Sequence, residues 1–278
     1  MKQLNYETMK QYSKIFLNKN NQPYGFYHAL IVVGLIGVVS ILMAALVQST
    51  ACFIPWISNW SIFISYTISL WVVLIIVKKW WGVLQFDTKT VNIIVYILLI
   101  PFVIAISIVM ESVVNLIPMS EKIKQLFEQM IQLNLPGFLT IAIAAPIFEE
   151  LIFRGVILKK FLQKYSPAKA IILSATIFGI VHLNPWQFIA AFTIGAAIGW
   201  VYWKTQSVWP GIFIHFVNNS FSFYLAKKYE SINTSFQDII GNNAYYISLI
   251  ILCLLVCYSI YLVLNRYFKL NLNYFINK

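Results

Sequence analysis

Residues 145–155, with the sequence APIFEELIFRG, place three ionisable side chains inside an otherwise apolar segment: Glu149, Glu150 and Arg154. A charged side chain near the centre of a bilayer costs roughly 2.5–3.5 kcal/mol on insertion scales. Three such groups in one segment are therefore expected to face the interior of the protein. We interpret the segment as part of a functional site.

The rest of the chain is strongly apolar. Of its 278 residues, 60% are hydrophobic and only 10% are charged, and the mean hydropathy is +0.77. This composition lies outside the range of soluble domains and predicts an all-α, polytopic membrane protein. A net charge of +11 would suggest nucleic-acid binding in a soluble domain. Here the placement of the lysines matters more than their number, and we expect no nucleic-acid partner.

Apolar runs long enough to cross the roughly 30 Å hydrocarbon core of a bilayer predict a bundle of about eight transmembrane helices. We place these runs at about 26–49, 60–77, 91–110, 137–158, 168–183, 186–203, 208–226 and 243–265.

The basic residues orient this bundle. If the N-terminus is cytoplasmic, 15 lysines and arginines lie on the inside and four lie outside, with the intramembrane Arg154 set apart. The positive-inside rule then predicts that both termini are cytoplasmic. The Lys, Asn and Ile bias of the chain favours a bacterium, and therefore the plasma membrane of a bacterial cell.

No Pro, Gly, Ser or charge-rich linker divides the chain. We predict one transmembrane domain at 26–265, with a cytoplasmic N-terminal arm at 1–25 and a cytoplasmic tail at 266–278. In the longest connection, about 111–136, a serine and a charged turn are followed by apolar residues at helical spacing. This pattern predicts an amphipathic surface helix at 119–131, on the outer face.

Helical spacing separates the roles of the three charged residues. Glu150 and Arg154 are four residues apart and can pair along one face of a helix. Glu149 is rotated by about 100° and is left without an obvious local cation. Pro146 removes one backbone hydrogen bond, which can kink the helix and open space beside Glu149.

Two of the three histidines fall inside later apolar runs. His182 follows Phe178 by four residues, and His215 precedes Asn219 by four, so each pair shares a helical face. A single intramembrane histidine is more often a hydrogen-bonded packing residue. Two histidines, an asparagine and an unpaired glutamate together favour a shared, buried polar cavity.

These residues resemble a known family. The motifs EExxxR at 149–154, FxxxH at 178–182 and HxxxN at 215–219 lie in that order on the fourth, fifth and seventh predicted spans. They resemble the CPBP family of intramembrane proteases, which includes the CAAX prenyl endopeptidases and the bacterial Abi-type proteins. The resemblance covers about 145–219, and no motif position departs from the pattern.

Chemistry and resemblance both favour hydrolysis of a peptide bond. Glu149, helped by His182, is expected to deprotonate a water molecule. His215 and Asn219 are expected to donate hydrogen bonds to the oxyanion. In this version no cofactor is needed.

Two supporting residues complete this assignment, and a rival assignment uses some of the same atoms. Glu150 and Arg154 would hold the helix of Glu149 and the local electric field in place. The alternative makes Glu149, His182 and His215 ligands of a Zn²⁺ ion with water at the fourth position. The family has been described in both ways, and the sequence leaves both open.

Other intramembrane protease chemistries lack their residues. The only aspartates, Asp87 and Asp238, lie in loops, and no HExxH or GxSxG-like motif is present. The alternative from another class is a non-catalytic peptide-binding protein in immunity to bacteriocins or in transport. Expected partners are membrane lipid, a peptide or lipid-modified peptide substrate and, as the resemblance implies, a peptide exporter.

Overall fold

The computed structural model describes residues 25–54, 56–83, 85–130, 132–231 and 234–276. The predicted N-terminal arm lies outside the described residues except for Gly25. The described residues form helices and no β-strand, and two residues of different connections, Thr88 and Ser207, form an isolated antiparallel bridge.

The helices of the described residues are numbered in chain order. They are α1 (Phe26–Ala51), α2 (Trp56–Trp80), α3 (Ile93–Val114), α4 (Glu121–Met130), α5 (135–164), α6 (Pro167–Ile180), α7 (Pro185–Thr205), α8 (Trp209–Lys228), α9 (Phe236–Ile240) and α10 (Asn243–Ile276). Helix α5 is a continuous rod of five segments: Leu135–Phe138, Leu139–Ala144, Ala145–Ile152, Phe153–Leu158 and Lys159–Lys164.

The predicted all-α membrane bundle is confirmed, because each of the eight apolar runs is largely helical in the structure. Four helices of the described chain are long and apolar enough to cross a membrane: Phe26–Ala51, Trp56–Trp80, Ile93–Val114 and Asn243–Leu270. These four spans indicate a multi-pass membrane protein. That the other four runs also cross the membrane, giving eight spans, stays a prediction.

The structure can be compared with two further predictions, the amphipathic surface helix and the C-terminal tail. Helix α4 lies where the amphipathic surface helix was expected. Residues 266–276 of the predicted C-terminal tail instead continue helix α10 to Ile276. Their apolar residues follow the last span without a glycine or proline, so nothing in the sequence ends the helix at 265.

Local sequence explains where two of the helices, α3 and α7, begin. The side chain of Asn92 accepts a hydrogen bond from the backbone N–H of Ile94 at the start of α3. Asn184 accepts from the N–H of Gln187 at the start of α7, where Pro185 occupies the first turn. Such caps satisfy N–H groups that have no partner inside the helix. They fix the start of α7 next to the turn that carries His182.

The apolar interior consists mainly of two clusters of buried side chains, each contributed by a group of helices. One cluster joins residues of α1, α2, α5 and α6, and the other joins residues of α3, α7, α8 and α10. Residues of α7 belong to both clusters, and α5 also packs against α8. The charged segment of α5 therefore lies where the two groups of helices meet.

Helix α5 is widened on both sides of the charged segment. Residues Leu139–Ala144 and Phe153–Leu158 are π-helical, and the α-helical turns of Ala145–Ile152 lie between them. Pro146 lies in the first turn of this middle segment. A π-helical turn inserts an extra residue into the backbone ladder and is common at functional sites. The predicted kink at Pro146 stays a prediction.

Candidate active site

Glu150 and Arg154 form a buried ion pair inside α5. The Nη1 atom of Arg154 lies 2.6 Å from Oε1 of Glu150, and the two residues are 1% and 0% exposed. The Nη2 atom donates to the carbonyl oxygen of Gly195 at 3.0 Å. The guanidinium group also lies over the ring of Phe178, 4.6 Å from its centroid. The arginine therefore connects α5 to α6 and α7.

Two glycines leave room for this pair. A Cβ atom at Gly195 would lie 3.2 Å from Nη2 of Arg154, and one at Gly211 would lie 3.1 Å from Oε2 of Glu150. Any larger residue at either position would press on a buried charged group. The close approach of α7 and α8 to the ion pair therefore depends on these glycines.

His215 of α8 lies against both glutamates. Its Nδ1 atom is 3.1 Å from Oε1 of Glu150, and its Nε2 atom is 4.0 Å from Oε2 of Glu149. A carboxylate accepts hydrogen bonds, so Nδ1 of His215 is the donor in the shorter contact. The longer contact exceeds hydrogen-bond distance. Glu150 thus orients the ring and leaves Nε2 on the side of Glu149.

Glu149 has a partner that sequence reasoning missed. The hydroxyl group of Tyr66, on α2, donates a hydrogen bond to Oε1 of Glu149. The other oxygen, Oε2, is buried and has no hydrogen-bond partner among the described residues. Tyr66 is one of 16 tyrosines, and no local motif distinguishes it. The contact gives the two oxygens of Glu149 different surroundings.

His182 lies just beyond the end of α6, in a turn and not within the helix. Its N–H group donates to the carbonyl of Gly179, and its Nδ1 atom lies 2.9 Å from the carbonyl oxygen of Phe178. A carbonyl oxygen can only accept, so Nδ1 carries a hydrogen and Nε2 accepts in the neutral ring. The ring of Phe178 contacts both His182 and His215 edge to face, with centroids 5.4 and 5.7 Å apart.

Asn219 is held by hydrogen bonds on both sides of its amide. Its Nδ2 atom donates to the carbonyl oxygen of Ile141 at 2.7 Å, and its Oδ1 atom accepts from Asn218 at 3.0 Å. The side chain of Asn218 in turn accepts from Ser107 at 2.8 Å. The amide nitrogen has two hydrogens. One remains for another acceptor after the bond to Ile141 has formed.

One cavity joins the predicted residues. It has a volume of about 700 Å³, within the range of small-molecule and peptide sites. Glu149, His182, His215 and Asn219 line it, together with Tyr66. The pair Glu150 and Arg154 does not line the cavity and lies behind Glu149 and His215. The structure thus divides the six predicted residues into four that line the cavity and a buried ion pair that contacts one of them, His215.

The residues proposed as zinc ligands do not form a ready metal site in this conformation. In the part of the chain that the structure describes, no three His, Cys, Asp or Glu side chains are grouped so that they could hold a metal ion. The side-chain types suit zinc, but their arrangement does not fit it.

Comparisons with known proteins cover the segment that carries most of these residues. The family model of Rce1-like type II CAAX prenyl endopeptidases matches residues 131–221, about a third of the chain. These residues are therefore similar to the CPBP family. They include all six residues that the motifs had selected, and the predicted resemblance to this family is confirmed.

One curated relative of this region adds a second comparison. The "Putative membrane peptidase YdiL" of Bacillus subtilis (strain 168) is 32% identical over 105 residues. The match covers 36% of the present chain and 43% of the relative, so the chain spans less than half of that protein's length. No solved structure matches the chain significantly. Tyr66 lies outside the part of the chain that the family model covers.

Proposed function

We propose that the protein is an intramembrane endopeptidase in which Glu149 and His182 activate water without a metal. The observation that carries this proposal is the cavity that brings Glu149, His182, His215 and Asn219 together. The peptidase families that match the chain support the same reaction class. The substrate would be a peptide or a lipid-modified peptide that reaches the site from the membrane.

The two oxygens of Glu149 suit a general base. Tyr66 holds Oε1, and Oε2 remains without a partner among the described residues, so Oε2 is the atom that takes a proton from water. The neutral ring of His182 accepts at Nε2 and can share this proton. The hydroxide oxygen adds to the carbonyl carbon of the scissile peptide bond. The carbon–nitrogen bond then breaks, and the proton passes to the leaving amine.

Two donors on α8 face the tetrahedral intermediate. One N–H of Asn219 remains after the bond to Ile141, and its direction is fixed by the contacts of the amide. Because Nδ1 of His215 donates to Glu150, its Nε2 atom donates only when the ring carries two hydrogens. Donors held in place before the reaction stabilise an oxyanion without further reorganisation.

The buried pair of Glu150 and Arg154 supports this arrangement. Glu150 fixes the ring of His215, and Arg154 fixes Glu150 and links α5 to the backbone of α7. Neither residue lines the cavity. They act as positioning residues for Glu149 and His215.

We further propose a location and a biological role. The protein would lie in the plasma membrane of a bacterium with both termini in the cytoplasm, next to a peptide exporter. It would process a bacteriocin or pheromone precursor or provide immunity to such a peptide. A non-catalytic peptide-binding protein is the competing function, and it would use the same cavity.

The reaction can be tested without a known substrate. The purified protein in lipid nanodiscs is incubated with a peptide library in H₂¹⁸O, and new C-termini are read by mass spectrometry. Peptide hydrolysis places one ¹⁸O atom in each new carboxylate. The Glu149→Gln variant serves as the control for contaminating proteases.

The outcomes separate the two functions. Cleavage by the wild type that disappears with Glu149→Gln supports the endopeptidase. Peptides that bind both proteins equally and stay intact would establish the non-catalytic function instead. Products of equal amount with both proteins would remove Glu149 from the chemistry.

A further inference from the structure

The cavity opens at one particular end of the helix bundle. It is lined by residues near the starts of α2, α5 and α7 and near the ends of α6 and α8. Because the residues at these positions line one cavity, the positions lie at the same end of the bundle. Leu183 and Gln187 are exposed there, and Leu183 is 86% exposed. Phe127 of α4 also lines the cavity, so the surface helix lies at this mouth.

The basic residues gather at the opposite end. Apart from Arg154, ten of the described lysines and arginines lie there: Lys78, Lys79, Lys89, Lys159, Lys160, Lys164, Lys169, Lys204, Arg266 and Lys269. The mouth end carries four in the described chain: Lys122, Lys124, Lys227 and Lys228. An excess of basic residues marks the cytoplasmic side of a membrane protein. The mouth of the cavity is therefore on the other side.

The walls of the cavity are nearly without charge. Glu149 is the only Asp, Glu, Lys or Arg side chain among the described residues that line it. No lysine or arginine is present in this lining to pair with a carboxylate of a substrate. A carboxylate that approached Glu149 without a cation would be repelled and desolvated at once.

We propose that the substrate enters from the extracytoplasmic side, as an uncharged internal segment of an exported peptide. This inference rests on the proposed peptidase function for its use of the cavity, and on charge and geometry for the side of access. The free carboxylate of a chain end is excluded from the neighbourhood of the scissile bond. The substrate is consequently delivered by a step that first moves the peptide across the membrane.

The side of access can be measured by thiol labelling. The three cysteines, Cys52, Cys253 and Cys257, are replaced by alanine, and Leu183→Cys is introduced at the mouth. Lys79→Cys, at an exposed position in the last turn of α2, is the matched control at the basic end. A membrane-impermeant maleimide is added to spheroplasts and to lysed cells.

We expect Leu183→Cys to react in intact spheroplasts and Lys79→Cys to react only after lysis. The reverse pattern would overturn the proposed side of access. Neither readout requires catalysis. A protein that shows the expected pattern but cleaves no peptide would therefore contradict the proposed function and leave this inference standing.

The preference for an uncharged segment has its own test. Two peptides with the same apolar segment, one amidated and one with a free C-terminal carboxylate beside that segment, are compared for protection of Leu183→Cys from the maleimide. We expect the amidated peptide to protect at a concentration about tenfold lower, because the described lining of the cavity offers no lysine or arginine to the carboxylate and places Glu149 near it. Equal protection, or better protection by the free acid, would refute the preference.

Discussion

The hydroxyl group of Tyr66 donates a hydrogen bond to Oε1 of Glu149 across 83 positions of the sequence. This contact holds one oxygen of the proposed base, and the other has no hydrogen-bond partner among the described residues. Helix α2 therefore contributes to a site that the motifs place on α5, α6 and α8. Removal of the hydroxyl group is a direct test of this contribution.

We predict that Tyr66→Phe lowers kcat and leaves KM nearly unchanged. A hydrogen bond to a charged group is worth roughly 1.5–3 kcal/mol, which corresponds to a loss of about 10–100-fold in rate. Tyr96→Phe is the matched control, because Tyr96 packs on Phe213 and does not line the cavity. An increase in KM with constant kcat would show that Tyr66 binds substrate and does not position Glu149.

Glu149→Gln and His182→Ala should abolish cleavage and leave the protein folded. Loss of a general base removes roughly 10²–10⁴-fold of rate. Glutamine keeps an oxygen that can accept from Tyr66, so the contact with α2 survives. The measurements are single-turnover cleavage and the melting temperature in detergent. Near-normal cleavage by Glu149→Gln would refute the role of Glu149 as base.

Arg154→Ala should destabilise the protein as well as inactivate it. Glu150 would keep a buried charge without its cation, and breaking a buried pair costs about 3–5 kcal/mol. The double variant Glu150→Gln with Arg154→Met removes both charges and should melt at a higher temperature than Arg154→Ala. A lower melting temperature for the double variant would contradict this expectation. It would show that loss of the ion pair, and not the unpaired charge of Glu150, destabilises the protein.

His215→Ala and Asn219→Ala distinguish the two mechanisms. As a pair of oxyanion donors, each should cost roughly 10²–10³-fold in rate. As a zinc ligand, His215 should be needed for metal binding, and Asn219 should matter less. The purified protein is measured for zinc content and for activity after exhaustive chelation. Stoichiometric zinc, with activity lost on chelation and restored by zinc, would establish the metal mechanism.

Gly195→Ala should weaken activity through the buried arginine. The new Cβ atom would lie 3.1 Å from Cδ1 of Phe178 and 3.2 Å from Nη2 of Arg154, so both side chains would have to move. Gly34→Ala in α1 is the matched control, since no atom lies within 4 Å of its Cβ position. Alanine favours a helix by about 1 kcal/mol over glycine, so the control should be neutral or stabilised. Equal melting temperatures and activities for the two variants would contradict the tight packing at Gly195.

The sequence alone determined the parts of the site that a single helix fixes. Residues four apart lie on one face because an α-helix has 3.6 residues per turn. This period was enough to place Glu150 beside Arg154 and Asn219 on the side of His215. Apolar length was enough to locate the eight helical runs, although the span count rests on the same lengths and stays a prediction.

Only the tertiary structure decided which faces of different helices meet. The contacts of Tyr66 with Glu149, of His215 with Glu150 and of Arg154 with the carbonyl of Gly195 join residues that are 83, 65 and 41 positions apart. No local period encodes such pairs, because they follow from how the side chains of several helices pack together.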